Sequence, residues 1–273
     1  MTTALITGAT AGIGLSFANQ LAAAGTHLVV VARRHDRLEE LAARLREQHG
    51  IDVEVLAADL SVRDDCIRVE ARLADLARPV DLLVNNAGFA VNDWFYESTI
   101  DQQQEMFDVL VTAVMRLSHA ALPGMVVRGH GTIINVSSVA AWIAGGTYSA
   151  AKAYCTVFSE SLDREVSGAG VRVMALAPGF THTDFHESAE MNMSGMKEWM
   201  WLNADDVVAK ALKDARKGKV VSVPGAQYKM LSVMAQYFPR PLVRALSGSR
   251  PNERNRVKEA SVTQGPDQPA SMR

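Results

Sequence analysis

Cysteine is scarce, neither sign of charge predominates, and no apolar run is long. The two cysteines among 273 residues, Cys66 and Cys155, fit neither a disulfide framework nor a metal-ligand spacing. That points to a reducing compartment, a cytoplasmic setting and buried, inert thiols. A formal net charge of -2 provides no field to gather polyanions, so nucleic acid is excluded as the expected partner. Every apolar run is broken by Gly, Arg or Pro before it reaches the roughly 20 residues that span a bilayer. The opening residues, Met1-Thr2-Thr3-Ala4-Leu5-Ile6-Thr7-Gly8, enter a strand-like run at once, without the basic and apolar segments of a secretion signal. No fixed-period repeat or low-complexity linker divides the chain.

What is present is alternation. Short β-branched runs at Leu5–Thr7, Leu28–Ala32, Val53–Ala57, Leu82–Asn85, Thr132–Val136, Val171–Ala177 and Val220–Val223 are separated by helical patterns. This predicts an α/β fold, a Rossmann-like doubly wound parallel sheet in a single domain. The domain is expected over residues 1–246, with a substrate lid over about 184–203 and a helical extension over about 226–246. Polar residues 247–273, with few groups able to bury apolar surface, read as a disordered tail.

Thr7-Gly8-Ala9-Thr10-Ala11-Gly12-Ile13-Gly14 stands between the first strand and the first helix. A pyrophosphate placed there meets free backbone amides and the positive end of the helix. Gly8 serves the tight turn, Gly12 the approach of phosphate, and Gly14 the packing of helix on strand. The second strand ends Val31-Ala32-Arg33-Arg34. Two guanidiniums without a carboxylate favour a ribose 2′-phosphate, hence NADP(H), although Asp36 nearby leaves NAD(H) open.

The glycine spacing resembles that of the short-chain dehydrogenase/reductase family. Asp59-Leu60, Asn85-Asn86-Ala87-Gly88, Tyr148 with Lys152, and Pro178-Gly179 follow in that family's order. The resemblance covers roughly residues 3 to 225 and implies an oxidoreductase interconverting a carbonyl and an alcohol. It implies that Gly8, Thr10, Gly12, Ile13, Gly14, Arg33 and Arg34 hold the cofactor. Asp59 and Leu60 would lie at the adenine, though Asp59 also suits a helix cap. Asn86, Ala87 and Gly88 would lie along the cofactor, with Pro178, Gly179, Thr181 and Thr183 at the nicotinamide, where the threonines also suit a turn.

Tyr148 and Lys152, four residues apart, share a helix face. A phenol is protonated at neutral pH, and a nearby ammonium lowers its pKa, so Tyr148 is the expected general acid and base and Lys152 its tuner. Ser138 is expected on the substrate oxygen, with Ser137 as competitor.

Two features depart from the family pattern. Leu110 stands where an asparagine is usual, and only nine residues separate Ser138 from Tyr148. These motivate an alternative, an NADP-binding regulatory or scaffold protein with little turnover. His186, Met191, Met193, Met196, Trp199, Met200, Trp201 and Leu202 imply an apolar lid, with Trp94, Phe95 and Tyr96 as the opposite wall, and hence a lipophilic substrate. His182 and His186 read as lid or turn residues rather than metal ligands. The extension after Gly225 is amphipathic and basic. It suits packing on its own domain or in a homo-oligomer, a dimer or tetramer, ahead of peripheral membrane contact.

Overall fold

The β-branched runs form strands β1 (Thr3–Thr7), β2 (His27–Ala32), β3 (Val53–Ala57), β4 (Leu82–Asn85), β5 (Gly131–Val136), β6 (Val171–Leu176) and β7 (Val221–Ser222). They are seen in a computed structural model that describes residues 2–91, 93–183 and 197–246. All pairings are parallel, in the order β3-β2-β1-β4-β5-β6-β7. Between and after them run helices α1 (Gly12–Ala23), α2 (His35–His49), α3 (Arg63–Leu73), α4 (Ile100–Phe107), α5 (Val114–Arg128), α6 (Gly146–Val166), α7 (Ala204–Arg216), α8 (Ala226–Tyr237) and α9 (Arg240–Leu246). The doubly wound expectation holds. The call of a disordered tail over residues 247–273 lies outside the described residues.

Adjacent strand residues point to opposite faces, so a sheet covered on both sides needs consecutive apolar residues. Ile6, Val30, Val84 and Ile134 pack on one face with Phe17 and Leu21 of α1, Leu38 and Leu45 of α2, and Val207 and Val208 of α7. Their neighbours Leu5, Val29, Leu83 and Ile133 pack on the other face with Val69 of α3, Leu117 and Met125 of α5 and Leu162 of α6. Each fully buried side chain of this kind contributes about 1.5–3 kcal/mol, which fixes the register that places the strand ends.

A wider helical turn, Asp108–Ala113, joins α4 to α5. The continuous helix Ile100–Arg128 is long and apolar enough to cross a membrane by length and composition, although Arg116, Pro123 and Gly124 interrupt its apolar run. Half of its most apolar window is buried within the molecule, where α5 packs on α3 and β5.

At the sheet edge, buried Asp214 of α7 accepts a hydrogen bond from Ser222 Oγ at 2.8 Å and pairs with Lys219 at 3.0 Å and with Lys210. Burial opposes its ionisation, but these partners outweigh it and hold the carboxyl at about 2. A depressed carboxyl pKa adds stability that is complete above the unfolded-state value, near 3.9, and is lost as pH falls through the folded one. Asp214→Asn is therefore expected to lower stability at pH 7 by about 2 kcal/mol and to flatten the fall of Tm between about pH 4 and 2. Thermal melts across that range check it.

Candidate active site

The C-terminal strand ends open into a cavity of about 1150 Å³. It lies where the order turns between β1 and β4, the usual crevice of a doubly wound sheet. Thr7 Oγ1 accepts from the backbone N–H groups of Asn86 at 2.9 Å and Ala87 at 3.0 Å. Asn86 Nδ2 donates to the carbonyls of Thr7 at 3.0 Å and Gly8 at 3.2 Å. The glycine turn and the Asn-Asn-Ala-Gly stretch thus brace each other.

Gly8 and Gly12 adopt φ of +66° and +51°, and a Cβ at Gly14 would come within 2.1 Å of the Gly8 carbonyl oxygen. Gly8, Thr10, Gly12 and Ile13 line the cavity, whereas Gly14 packs beneath them. The first turn of α1 has no side-chain cap and no acidic residue, which leaves its amides suited to an anion. Arg33 and Arg34 line the same cavity, are exposed, and have no ion-pair partner among the described residues. Asp36 sits in the first turn of α2 and is not part of the lining.

Asp59, Leu60, Asn86, Ala87 and Gly88 line the middle, and Pro178, Gly179, Thr181 and Thr183 the far side. The Asp59 carboxylate accepts from the backbone N–H and hydroxyl of Ser61 at 3.0 and 2.7 Å, the turn-forming use that its position also suggests. A Cβ on Gly12 would lie 2.8 Å from the Thr183 methyl, so the glycine turn and the Pro-Gly stretch meet across the cavity.

Tyr148, near the start of α6, lines the cavity together with Ser138. Lys152 is only 5 % exposed. Its Nζ donates to the Val136 carbonyl at 2.7 Å and lies 5.6 Å from the centre of the Tyr148 ring. Ser137 points elsewhere: its buried hydroxyl donates to the Lys152 carbonyl at 2.8 Å and shares a 2.7 Å hydrogen bond with Thr156 Oγ1. Ser138 Oγ accepts from Ala140 N at 3.1 Å and starts the tight turn Val139–Trp142. Thr147 Oγ1 donates to Gln103 at 2.6 Å, and Gln103 donates on to Ser98 at 2.8 Å. The nine-residue loop is therefore long enough to bring serine and tyrosine together.

Burial raises the Tyr148 phenol above its ordinary value, Ser138 opposes this, and Cys155 adds a little to the rise. Burial also pushes the Lys152 ammonium down. A buried ammonium beside a buried phenol does not offset the cost of dehydrating a phenolate, so Tyr148 is held as the neutral acid. The thiols of Cys66 and Cys155 are buried and raised to about 11, chiefly by that burial, as expected of unreactive cysteines.

A family model for short chain dehydrogenases matches residues 2–194. The chain belongs to the short-chain dehydrogenases. It is 36% identical over 188 residues to a serine 3-dehydrogenase of Agrobacterium fabrum, a match covering 67% of this chain and 73% of that one. A solved short-chain dehydrogenase from Sphingobium yanoikuyae in complex with NADPH superposes with a TM-score of 0.80 at 31% identity, covering 100% of this chain and 99% of that one. A bulky-bulky ketone specific alcohol dehydrogenase from Comamonas testosteroni gives 0.75 at 26% identity, covering 99% and 97%. Membership makes the chain a nicotinamide-dependent oxidoreductase of alcohols and carbonyls.

Within this short-chain dehydrogenase, Leu110 is 1 % exposed and packs with Met106 and Ala151. A Cβ on Gly88 would lie 2.7 Å from its Cδ2 and 3.9 Å from Lys152 Nζ. An aliphatic side chain therefore stands close behind the lysine, where the family pattern has an amide.

The apolar walls also need correction. Trp94 and Phe95 line the cavity, but Tyr96 does not and stacks on Trp94 at 6.4 Å. Of the expected lid, His186, Met191, Met193 and Met196 lie outside the described residues. Trp199, Met200, Trp201 and Leu202 are described and do not line the cavity. Trp201 packs edge-on against Phe180 and stacks on His182 at 4.6 Å, and His182 pairs with Glu198 at 3.1 Å. Trp201 fastens this segment to the Pro-Gly stretch, whereas Trp199 is exposed to solvent. Phe89, Val91 and Ile143 supply apolar lining that sequence reasoning passed over. The position of Phe89 and Val91 directly after Asn85-Asn86-Ala87-Gly88 was the available signal.

Proposed function

We propose that this short-chain dehydrogenase uses NADP(H) to interconvert a bulky, lipophilic ketone and its secondary alcohol. The observation that carries the reading is that Ser138, Tyr148 and buried Lys152 line one cavity, which also holds two uncommitted guanidiniums. The glycine turn, the open α1 amides and the Arg33–Arg34 pair fit a dinucleotide bearing a 2′-phosphate. Asp59 and Leu60 would hold the adenine, Asn86, Ala87 and Gly88 the middle of the cofactor, and Pro178, Gly179, Thr181 and Thr183 the nicotinamide. NAD(H), lacking that phosphate, would be the poorer partner. The relative solved with NADPH supports the choice.

When bound, the nicotinamide supplies or accepts the hydride. Ser138 Oγ donates to the substrate oxygen and orients it, and Tyr148 Oη delivers the proton that oxygen requires in reduction. A phenol held protonated by burial is ready for that direction; oxidation requires its removal. Lys152 Nζ lies next to the reacting pair and would bind the nicotinamide ribose. Leu110 supplies no side-chain donor or acceptor to a proton path beyond it.

The substrate class rests on the walls. Phe89, Val91, Trp94, Phe95 and Ile143 are apolar, and the charged groups near them in the lining are the carboxylates Asp93 and Glu105. Apart from Arg33, Arg34 and Lys152, no cation lines the described cavity. A hydroxy acid would leave its carboxylate without a partner there, at a cost of several kcal/mol. The similarity to a bulky-bulky ketone specific enzyme agrees. Assembly as a homo-oligomer, a dimer or tetramer, belongs to the same reading.

A panel of aryl and alkyl ketones, with serine and short 3-hydroxy acids as competitors, tests the assignment under NADPH and NADH. Bulky ketones are expected to exceed the acids in kcat/KM by about a hundredfold or more, a difference of about 2.7 kcal/mol. Preference for the acids would sink the substrate class.

A further inference from the structure

Helix α8 lies beyond the residues matched by the family model, yet one of its side chains forms the back of the cavity wall. Tyr228 is 2 % exposed, and its ring lies so close on Gly179 that a Cβ there would come within 2.2 Å of Cε2. Its hydroxyl donates to the Met200 carbonyl at 2.6 Å, and its ring centre lies 6.5 Å from that of Phe180. Met200 and Phe180 belong to the stretches joined by Leu202 N donating to Phe180 O at 2.8 Å and His182 N donating to Leu202 O at 3.0 Å. One tyrosine therefore presses on the back of the Pro-Gly turn and is tied to the backbone of the stretch bonded to it.

We infer that Tyr228 is a positioning residue for the nicotinamide end of the cofactor, acting through Gly179, Phe180 and Thr181. This rests on the reading that the Pro178–Thr183 stretch, which lines the cavity, holds the nicotinamide. The physical argument is one of competing partners. Gly179 and Phe180 line the cavity, and Tyr228 packs on both from behind. Hydride transfer demands placement within a fraction of an ångström, and a shift of about 1 Å can cost about a hundredfold in rate. The adenosine end would be held by other residues, Arg33, Arg34, Asp59 and Leu60.

Tyr228→Phe keeps the ring on Gly179 and removes only the hydroxyl. The expected result is a kcat lowered about tenfold or more, with KM for the ketone nearly unchanged. Affinity for NADPH falls about fivefold, whereas affinity for 2′,5′-ADP, which lacks the nicotinamide, stays within about twofold, because the two ends are held by separate contacts. Binding of 2′,5′-ADP also reports that the variant is folded. Ser232→Ala is the matched control: it removes another buried hydroxyl of α8, bonded to the Lys229 carbonyl at 2.8 Å, and should leave kcat and both affinities as in the parent. Equal loss of NADPH and 2′,5′-ADP affinity would overturn the inference, as would an unaltered kcat or the same losses in Ser232→Ala. If the parent protein reduces no ketone, the functional reading fails, while the ratio of the two affinities still decides the role of Tyr228.

Discussion

Replacing Tyr148 with Phe is expected to lower kcat for ketone reduction by about a thousandfold, the middle of the range for loss of a positioned proton donor. The ring is retained, so NADPH affinity should hold within about threefold. The size of the effect follows from the surroundings. Ser138 lines the same cavity as the phenol but is an alcohol of much lower acidity, and the hydroxyl of Ser137 is committed to Lys152 and Thr156, so neither serine has an acidic proton to substitute. Lys152 is bonded to the Val136 carbonyl.

The pH profile adds a second readout. Because burial raises the phenol, its neutral form persists through pH 10, and reduction by the parent protein should vary little with Tyr148 between about pH 6 and 9. Alcohol oxidation needs the phenolate and should rise about tenfold per pH unit over that range. Steady-state kinetics in both directions, read by NADPH absorbance, check this. A Phe variant as active as the parent would remove Tyr148 from the chemistry; a rise in oxidation surviving in the variant would assign the titration to another group.

The fold was legible because its signal is local. Pairs such as Leu5-Ile6 and Val29-Val30 record a sheet buried on both faces, and Gly8, Gly12 and Gly14 record backbone that tolerates no Cβ. Site residues named from motifs converge on one cavity for the same reason: their places are set by strand ends. What escaped detection depends on distant packing. Trp199 and Trp201 are as apolar as substrate-lining residues, and sequence does not say whether such a ring faces a ligand or Phe180. Tyr228 lies 49 residues after Gly179 in the chain and carries no motif. The proximity of Tyr148 to Lys152 is visible in the sequence, whereas the depth at which both groups are buried, which raises the phenol, is not. The short Ser138-to-Tyr148 loop looked like a defect until the 3.1 Å bond from Ala140 N to Ser138 Oγ and the Gln103–Thr147 contact showed how it closes.

Removing both guanidiniums, Arg33→Ala with Arg34→Ala, is expected to weaken NADPH binding by about a hundredfold and to change NADH binding by less than about threefold. A hydrogen bond to a charged group is worth about 1.5–3 kcal/mol, or roughly ten- to a hundredfold each, and two exposed side chains lie toward the low end because water and salt compete. The prediction depends on what these residues do otherwise. Neither pairs with a carboxylate among the described residues, so their loss strands no buried charge and should leave Tm nearly unchanged. Asp36 stays in the first turn of α2, away from the cavity lining, so the variant gains no acceptor for a ribose hydroxyl and should not become an NAD enzyme in absolute terms. Its preference changes by losing NADPH affinity alone. Titration of both cofactors at low and at raised ionic strength separates the possibilities. A parent whose NADPH affinity falls with salt much more steeply than its NADH affinity, with that difference abolished in the variant, locates the 2′-phosphate at these two residues. Equal weakening of both cofactors would instead mean that the arginines hold a part of the dinucleotide that NADPH and NADH share, and the basis for choosing NADP(H) would be gone.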